Sequence, residues 1–278
     1  MLPLSYDSIL DRALAEDLSS GDVTTEACIL QTAQAVAHAV ARGPIVVCGG
    51  EVFARVFAKV DGAVRFEAHC EDGARASLGT RVWTVRGPAR SILMGERTAL
   101  NLVQRMCGIA TTTRTYVDAV AEGKRTRITD TRKTMPGLRI LDRYAVRVGG
   151  GKNHRDNLGS AVLIKDNHVV AAGGVREAVS RARAHAPHTS KIECEIDSLD
   201  QLEEAIKAGA DILLLDNMKT DVVKEAVARA RGRVFLEASG GITLERVREL
   251  SLAGVDAISV GALTHSVVAA DLGLDFET

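Results

Sequence analysis

The chain has 278 residues, 46% of them hydrophobic and 26% charged, with a net charge of −1. These values fit a globular protein with a sizeable core, long enough for one large domain or two ordinary ones. Near-neutrality argues against a general nucleic-acid or membrane-surface binder. No apolar run approaches the ~20 residues of a membrane span.

The opening "MLPLSYDSILDRALAEDL" lacks the basic and apolar regions of a signal peptide. It reads as an amphipathic helix with Ser5 or Asp7 as its candidate cap. Strand patterns follow at Gln34–Ala41, Val64–Ala68 and Arg81–Arg86, with a helical run at Glu51–Lys59. A longer helix, "ARSILMGERTALNLVQRMCG", leads out of this region. The five cysteines, Cys28, Cys48, Cys70, Cys107 and Cys194, are odd in number and form no C-x-x-C pair. Reduced thiols in a cytoplasm are therefore expected, not a disulfide framework or a zinc site.

From about residue 125 the pattern becomes regular, with short apolar strands alternating with amphipathic helices. The strands fall near Arg127–Thr129, Ala161–Lys165, Lys191–Ile196, Asp211–Asp216, Val234–Glu237 and Ala257–Val260. This is the order of a parallel sheet, yet the region is too short for the ~250 residues of a typical eight-unit barrel. An incomplete α/β barrel is predicted. An open doubly wound sheet is the alternative, weakened because no G-x-G-x-x-G follows the first strand.

Barrel chemistry gathers where strands end. The first strand runs into Asp130, Thr131, Arg132 and Lys133, the next into Lys165, Asp166 and Asn167. Later ones reach Glu195, Asp216, Glu237 with Ser239, and Ser259 with Gly261. In "KIECEID", Ile192, Cys194 and Ile196 share one face, and Glu193, Glu195 and Asp197 the other. Either the carboxylates point into a barrel, or this is an edge strand with one wet face. With Asp216 ending the next strand, inward acids suited to Mg²⁺ gain weight. "ASGGIT" supplies Ser239, Gly240 and Gly241, with Thr243 as a helix cap, and "SVGALTHS" supplies Gly261. Two small-residue loops in succession suit a phosphate, although any tight turn also selects glycine.

"VGGGKNHR" is not a Walker loop, because Val146 and Asn153 stand where glycine and Ser/Thr are required. It reads as a turn that returns His154 and Arg155 toward the mouth. Alone, His154 would be an ordinary hydrogen-bonder and Arg155 a surface charge. Together with Arg132, Lys133 and Lys165 they imply an anionic ligand bearing carboxylates or phosphates. A Schiff-base lyase using Lys165, or a non-catalytic sensor of anionic metabolites, are the competing readings.

The motifs "ERTALNLVQRMCGIAT", "DTRKTMPGLR", "YAVRVGGGKNHR", "VLIKDNH", "LLLDN", "ASGGI" and "VGALTHS" resemble those of the quinolinate phosphoribosyltransferases, in the same order. The resemblance covers nearly the whole chain, including "EDLSSGDVTT". A molybdenum-associated paralogous branch typically lacks the "KDNH" present at 165–168. The resemblance implies an N-terminal α/β sandwich domain over 1–110, with the tail 266–278 packed back on it, and an incomplete α/β barrel over 111–265. It implies phosphoribosyl transfer from 5-phosphoribosyl 1-pyrophosphate to quinolinate, with decarboxylation, in NAD biosynthesis. Mg²⁺ is the implied cofactor, and a homodimer with a shared active site, or a hexamer of dimers, the implied assembly. No nucleic-acid or membrane partner is implied.

By the same resemblance, Arg97 reaches the neighbouring subunit's site, and Arg132, His154, Arg155 and Lys165 hold the quinolinate carboxylates. Lys133 lies near the phosphoribosyl pyrophosphate, and Thr131 joins the substrate-binding set. Glu195 and Asp216 surround the ribose hydroxyls and Mg²⁺. Ser239, Gly240, Gly241 and Gly261 match the phosphate loops. Lys133, Glu195 and Asp216 are the catalytic candidates.

Overall fold

The computed structural model describes Leu2 and residues 4–277. The chain forms two compact units, one of residues 1–114, 134–150 and 262–278, the other of 115–133 and 151–261.

The first unit contains α1 (Asp7–Leu18), α2 (Val23–Cys28), β1 (Gln34–Ala41), β2 (Ile45–Val46), α3 (Gly50–Val60), β3 (Arg65–Ala68), β4 (Arg75–Ala76) and β5 (Arg81–Pro88). Most of α4 (Ala89–Asp118), all of α5 (Arg139–Val148) and the last strand, Leu272–Phe276, also belong to it. Neither Ser5 nor Asp7 caps α1. The helix enters through a 3-10 turn at Leu4–Tyr6, and Tyr6, the N-cap, makes no side-chain cap bond. Asp7 instead takes a two-pronged bond from Arg55, at 3.1 and 2.7 Å.

The main sheet of this unit is antiparallel, with the last strand beside β1, then β5, then β3. Helix α3 buries Val52, Phe53, Val56 and Phe57 on one stripe. Phe53 meets Trp83 of β5 and Phe57 at ring-centroid distances of 4.9 and 5.0 Å. The Asp72 carboxylate accepts from Gly49 N and Gly50 N at the start of α3, and from the Tyr144 hydroxyl of α5 at 2.8 Å. Helix α4 continues ten residues beyond Gly108, where the sequence pattern suggested an end. That glycine serves a close approach: a side chain there would collide with the Val268 carbonyl of the C-terminal segment.

The second unit carries β6 (Arg127–Thr129), β7 (Val162–Ile164), α6 (Asp166–Ala172), α7 (Val175–His185), β8 (Ile192–Ile196), α8 (Leu199–Ala208), β9 (Ile212–Asp216), α9 (Thr220–Ala230), β10 (Phe235–Ser239), α10 (Leu244–Ala253) and β11 (Ala257–Ser259). Its six strands are all parallel, in the order β6-β11-β10-β9-β8-β7. From β7 to β11 each strand lies beside its successor, with no reversal of direction as in a doubly wound sheet. Strand β8 is interior, between β7 and β9, so the edge-strand reading of "KIECEID" fails.

Lys152 extends the sheet past β6 by a parallel bridge to Thr129. Two residues later, His154 touches Glu193 of β8 at 3.0 Å. In a flat sheet β6 and β8 would stand four spacings apart, roughly 19 Å. The sheet is therefore curled, and its inner face is a barrel interior with an open side between β6 and β7.

Candidate active site

The curl brings the strand-end side chains of the second unit toward one another. After β6, the Thr131 hydroxyl accepts from Lys133 N at 3.0 Å, and Lys133 is exposed. Arg155, part-buried, has its basicity lowered by burial and by the nearby charge of Arg132. Two guanidiniums held within influence of each other are a signature of an anion site, since an anion removes their repulsion.

Lys165 stands at the end of β7, half-exposed, with Nζ 3.9 Å from Glu195 Oε2. Its backbone N–H donates to His168 Nδ1 at 2.9 Å, fixing the turn into α6. Burial raises Glu195 above the ordinary carboxylate range; Lys165 pulls it down, and the charges of Asp216 and Asp166 push it up. Three carboxylates thus gather at the ends of β7, β8 and β9. An oxygen-rich acidic group of this kind suits a hard divalent cation.

The phosphate-loop candidates follow β10. Asn217, at φ 53°, donates from its own N–H to the Ser239 carbonyl at 3.0 Å, and its amide bonds Asp216 Oδ2 at 2.7 Å. Gly240, at φ 90°, lies against that amide, and a side chain there would collide with it. Gly241 follows at φ 56°, and the Thr243 hydroxyl caps α10 by accepting from Arg246 N. Gly261 follows β11. Arg97 is exposed on α4 in the first unit.

Around His154 lies a buried polar layer of Asp130, Glu193 and Glu237, none of which was assigned a role in the site. Asp130 is fully buried and accepts from His154 N at 2.7 Å and from the Asn153 amide at 2.6 Å. Glu193 and Glu237 are each 4% exposed. They approach His154 Nε2 at 3.0 and 3.5 Å respectively. Burial, then the charge of Glu193, pushes the Glu237 carboxyl up to about 7, against His154 and a hydrogen bond from Ser259. For His154, burial lowers basicity, and the carboxylates of Glu193, Glu237 and Asp130 more than restore it. His154, Glu193 and Glu237 line a cavity of about 410 Å³, whose other walls include Arg155 and, at the strand starts, Arg127, Asp211 and Phe235.

Inward alternation along β8 was the one sequence signal for Glu193. Nothing local marked Asp130 or Glu237 as its neighbours.

The profile of the quinolinate phosphoribosyl transferase N-terminal domain matches residues 22–107, and that of the C-terminal domain matches residues 109–275. A nicotinate-nucleotide pyrophosphorylase [carboxylating] of Mycobacterium leprae is 47% identical over 270 residues, covering 95% of this chain and 94% of that protein. A probable nicotinate-nucleotide pyrophosphorylase [carboxylating] of Bacillus subtilis is 41% identical, covering 98% and 93%. The crystal structure of NadC from Streptococcus pyogenes superposes with a TM-score of 0.95 at 40% identity, covering 100% of this chain and 99% of that one. The chain belongs to the quinolinate phosphoribosyltransferase family.

Proposed function

We propose that the chain transfers the phosphoribosyl group of 5-phosphoribosyl 1-pyrophosphate to the pyridine nitrogen of quinolinate and releases the 2-carboxylate as CO₂. The products are nicotinate mononucleotide and pyrophosphate, a step of de novo NAD biosynthesis. The observation that carries this reading is one cationic group and one acidic group in the same barrel unit. Arg132 and Arg155 are within electrostatic influence of each other, and Glu195 is close to Asp216.

In this reading Arg132, His154, Arg155 and Lys165 take the two carboxylates of quinolinate and orient its ring nitrogen. Lys133 and Thr131 lie toward the phosphoribosyl donor, whose phosphates meet Ser239, Gly240, Gly241 and Gly261. Glu195 and Asp216 would hold Mg²⁺, with Asp166 alongside; their clustering at the strand ends fits that ion. When bound, Mg²⁺ neutralises charge on the pyrophosphate. Glu195 and Asp216 also offset the positive charge that develops on the ribose as the old bond lengthens, an electrostatic contribution set by their fixed positions. Once the pyridine nitrogen is quaternised, its positive charge stabilises the in-plane electron pair left on C2 as CO₂ departs, and C2 then takes a proton from water. No further cofactor is needed for that step.

The functional unit we propose is a cytoplasmic homodimer, or a hexamer of dimers, with Arg97 entering the partner's site. Among the described residues no helix is long and apolar enough to cross a membrane. A Schiff-base enzyme would need a free amine on Lys165, whereas its Nζ faces the Glu195 carboxylate.

The test is to incubate the protein with quinolinate, 5-phosphoribosyl 1-pyrophosphate and Mg²⁺, and to follow nicotinate mononucleotide and CO₂. Nicotinate, lacking one carboxylate, leaves part of the cationic group unmatched. Its kcat/KM should be lower by roughly 10³-fold or more. Comparable use of nicotinate, or full turnover in excess chelator, refutes the reading.

A further inference from the structure

His154 sits between two sets of partners. The Arg155 backbone N–H donates to its Nδ1 at 2.7 Å. That nitrogen must present a lone pair, so the proton of a neutral ring is on Nε2. Nε2 lies 3.0 Å from Glu193 Oε2, its hydrogen-bond acceptor, and 3.5 Å from Glu237 Oε1, which accepts no hydrogen bond. The acids come from β8 and β10, with β9 between them, and converge because the sheet is curled.

The same three side chains are close enough to clasp a cation. The tautomer argues against it. A metal would need the Nε2 lone pair, and Nδ1 would then carry the proton toward another N–H. Two buried carboxylates are costly, and as fillers of a barrel core they are poorer than leucine. Their placement has a use if they hold the imidazole.

We propose that Glu193 and Glu237 are positioning residues: Glu193 takes the Nε2–H of His154 and Glu237 closes the other side of that nitrogen, so that together they fix the tautomer and thereby anchor the Arg155 amide so that the guanidinium faces the anion site. The tautomer follows from the geometry alone. The consequence for quinolinate rests on the function proposed above.

Nitrogen-15 histidine labelling, with the His154 ring assigned through a His154→Asn variant, reads the tautomer by long-range proton–nitrogen correlation. The expected wild-type state is Nε2–H. Glu193→Met removes the acceptor and Glu237→Met the polar group beside it, both at similar side-chain length, and Glu193→Gln and Glu237→Gln keep an oxygen in place. The Met variants should raise the KM for quinolinate roughly 10- to 100-fold, as expected for a misplaced binding group. The KM for 5-phosphoribosyl 1-pyrophosphate should stay near wild type, and the Gln variants should recover most of the loss. A wild-type His154 that carries its proton on Nδ1 overturns the proposal without any variant. So do folded Met variants with an unchanged quinolinate KM, or with equal losses toward both substrates. If the wild type does not turn over quinolinate at all, the functional reading falls, and the tautomer measurement still decides whether the acids hold His154.

Discussion

Asp130 offers the sharpest test of how the cationic loop is held. Its buried carboxylate accepts from the His154 amide at 2.7 Å and from the Asn153 side chain at 2.6 Å. Both bonds are charge-assisted, and each is worth about 1.5–3 kcal/mol when the partner would otherwise be stranded. His154 and Asn153 are only part-buried, so water recovers some of the loss when Asp130 becomes alanine. A net cost of about 2–4 kcal/mol is expected. For a chain of this size that lowers Tm by roughly 5–15 °C. Asp130→Asn should be intermediate, because an amide presents one oxygen and one NH₂ to two donors, and one pair clashes. Calorimetry reads the stability, and calorimetric titration with quinolinate reads the site. Quinolinate affinity should fall in both variants, since Arg155 follows His154 in the chain. An Asp130→Ala protein with wild-type Tm and wild-type quinolinate affinity would show that the loop is held by something else.

Gly240→Ala should raise the KM for 5-phosphoribosyl 1-pyrophosphate while leaving quinolinate affinity near wild type. The new methyl collides with the Asn217 amide that bonds Asp216, and the position has φ 90°; steady-state kinetics with each substrate varied in turn check this. Glu237 is neutral in the folded protein up to about pH 7, against an ordinary 4.5, so the native state keeps a proton that the unfolded chain gives up. That stabilisation is present below pH 4.5 and lost as pH rises through about 7, at most about 3 kcal/mol. Glu237→Gln should therefore gain Tm relative to wild type as pH is raised from 5 to 8, and parallel Tm curves would contradict the assignment. Arg97→Ala and Lys165→Ala, each inactive alone, should recover about one quarter of wild-type activity per site after random subunit exchange, because half the dimers are mixed and each mixed dimer keeps one intact site. No recovery after exchange confirmed by mass spectrometry would remove Arg97 from a shared site.

Which parts of this molecule could be read in advance follows from the range of the interactions involved. The barrel strands were legible because each is a short apolar run ending in polar residues, and β8 to β11 fall close to their expected spans. Helix α6 was not, since Asp166–Ala172 has no buried residue and hence no apolar stripe. The final strand was also missed, because its pairing partner β1 is more than 200 residues earlier. The helical run was read only as far as Gly108, whose role is to let a distant segment lie against α4. The strand-end rule named Arg132, Lys133, Lys165, Glu195 and Asp216, and in the structure Glu195 lies near both Lys165 and Asp216. It could not select Asp130 or Glu237 as partners of His154, because that meeting depends on how far the sheet curls.

The curl and the buried acids have one physical origin. The sheet has six strands, and its two ends, β6 and β7, have no strand between them to close the ring. The chain after Lys152 runs beside β6 with a single bridge, so no ladder of backbone bonds fixes the segment that carries His154 and Arg155. Side chains must replace that ladder. Apolar side chains would bury area without specifying an orientation, whereas carboxylates accept particular N–H groups in particular directions. Asp130 takes the His154 amide, Glu193 takes its ring, and the ring takes the Arg155 amide. Each buried acid carries a desolvation cost, visible in the raised Glu237 carboxyl. The cost is accepted inside the barrel because Arg155, the next residue after His154, needs a fixed direction that the single Thr129–Lys152 bridge does not supply.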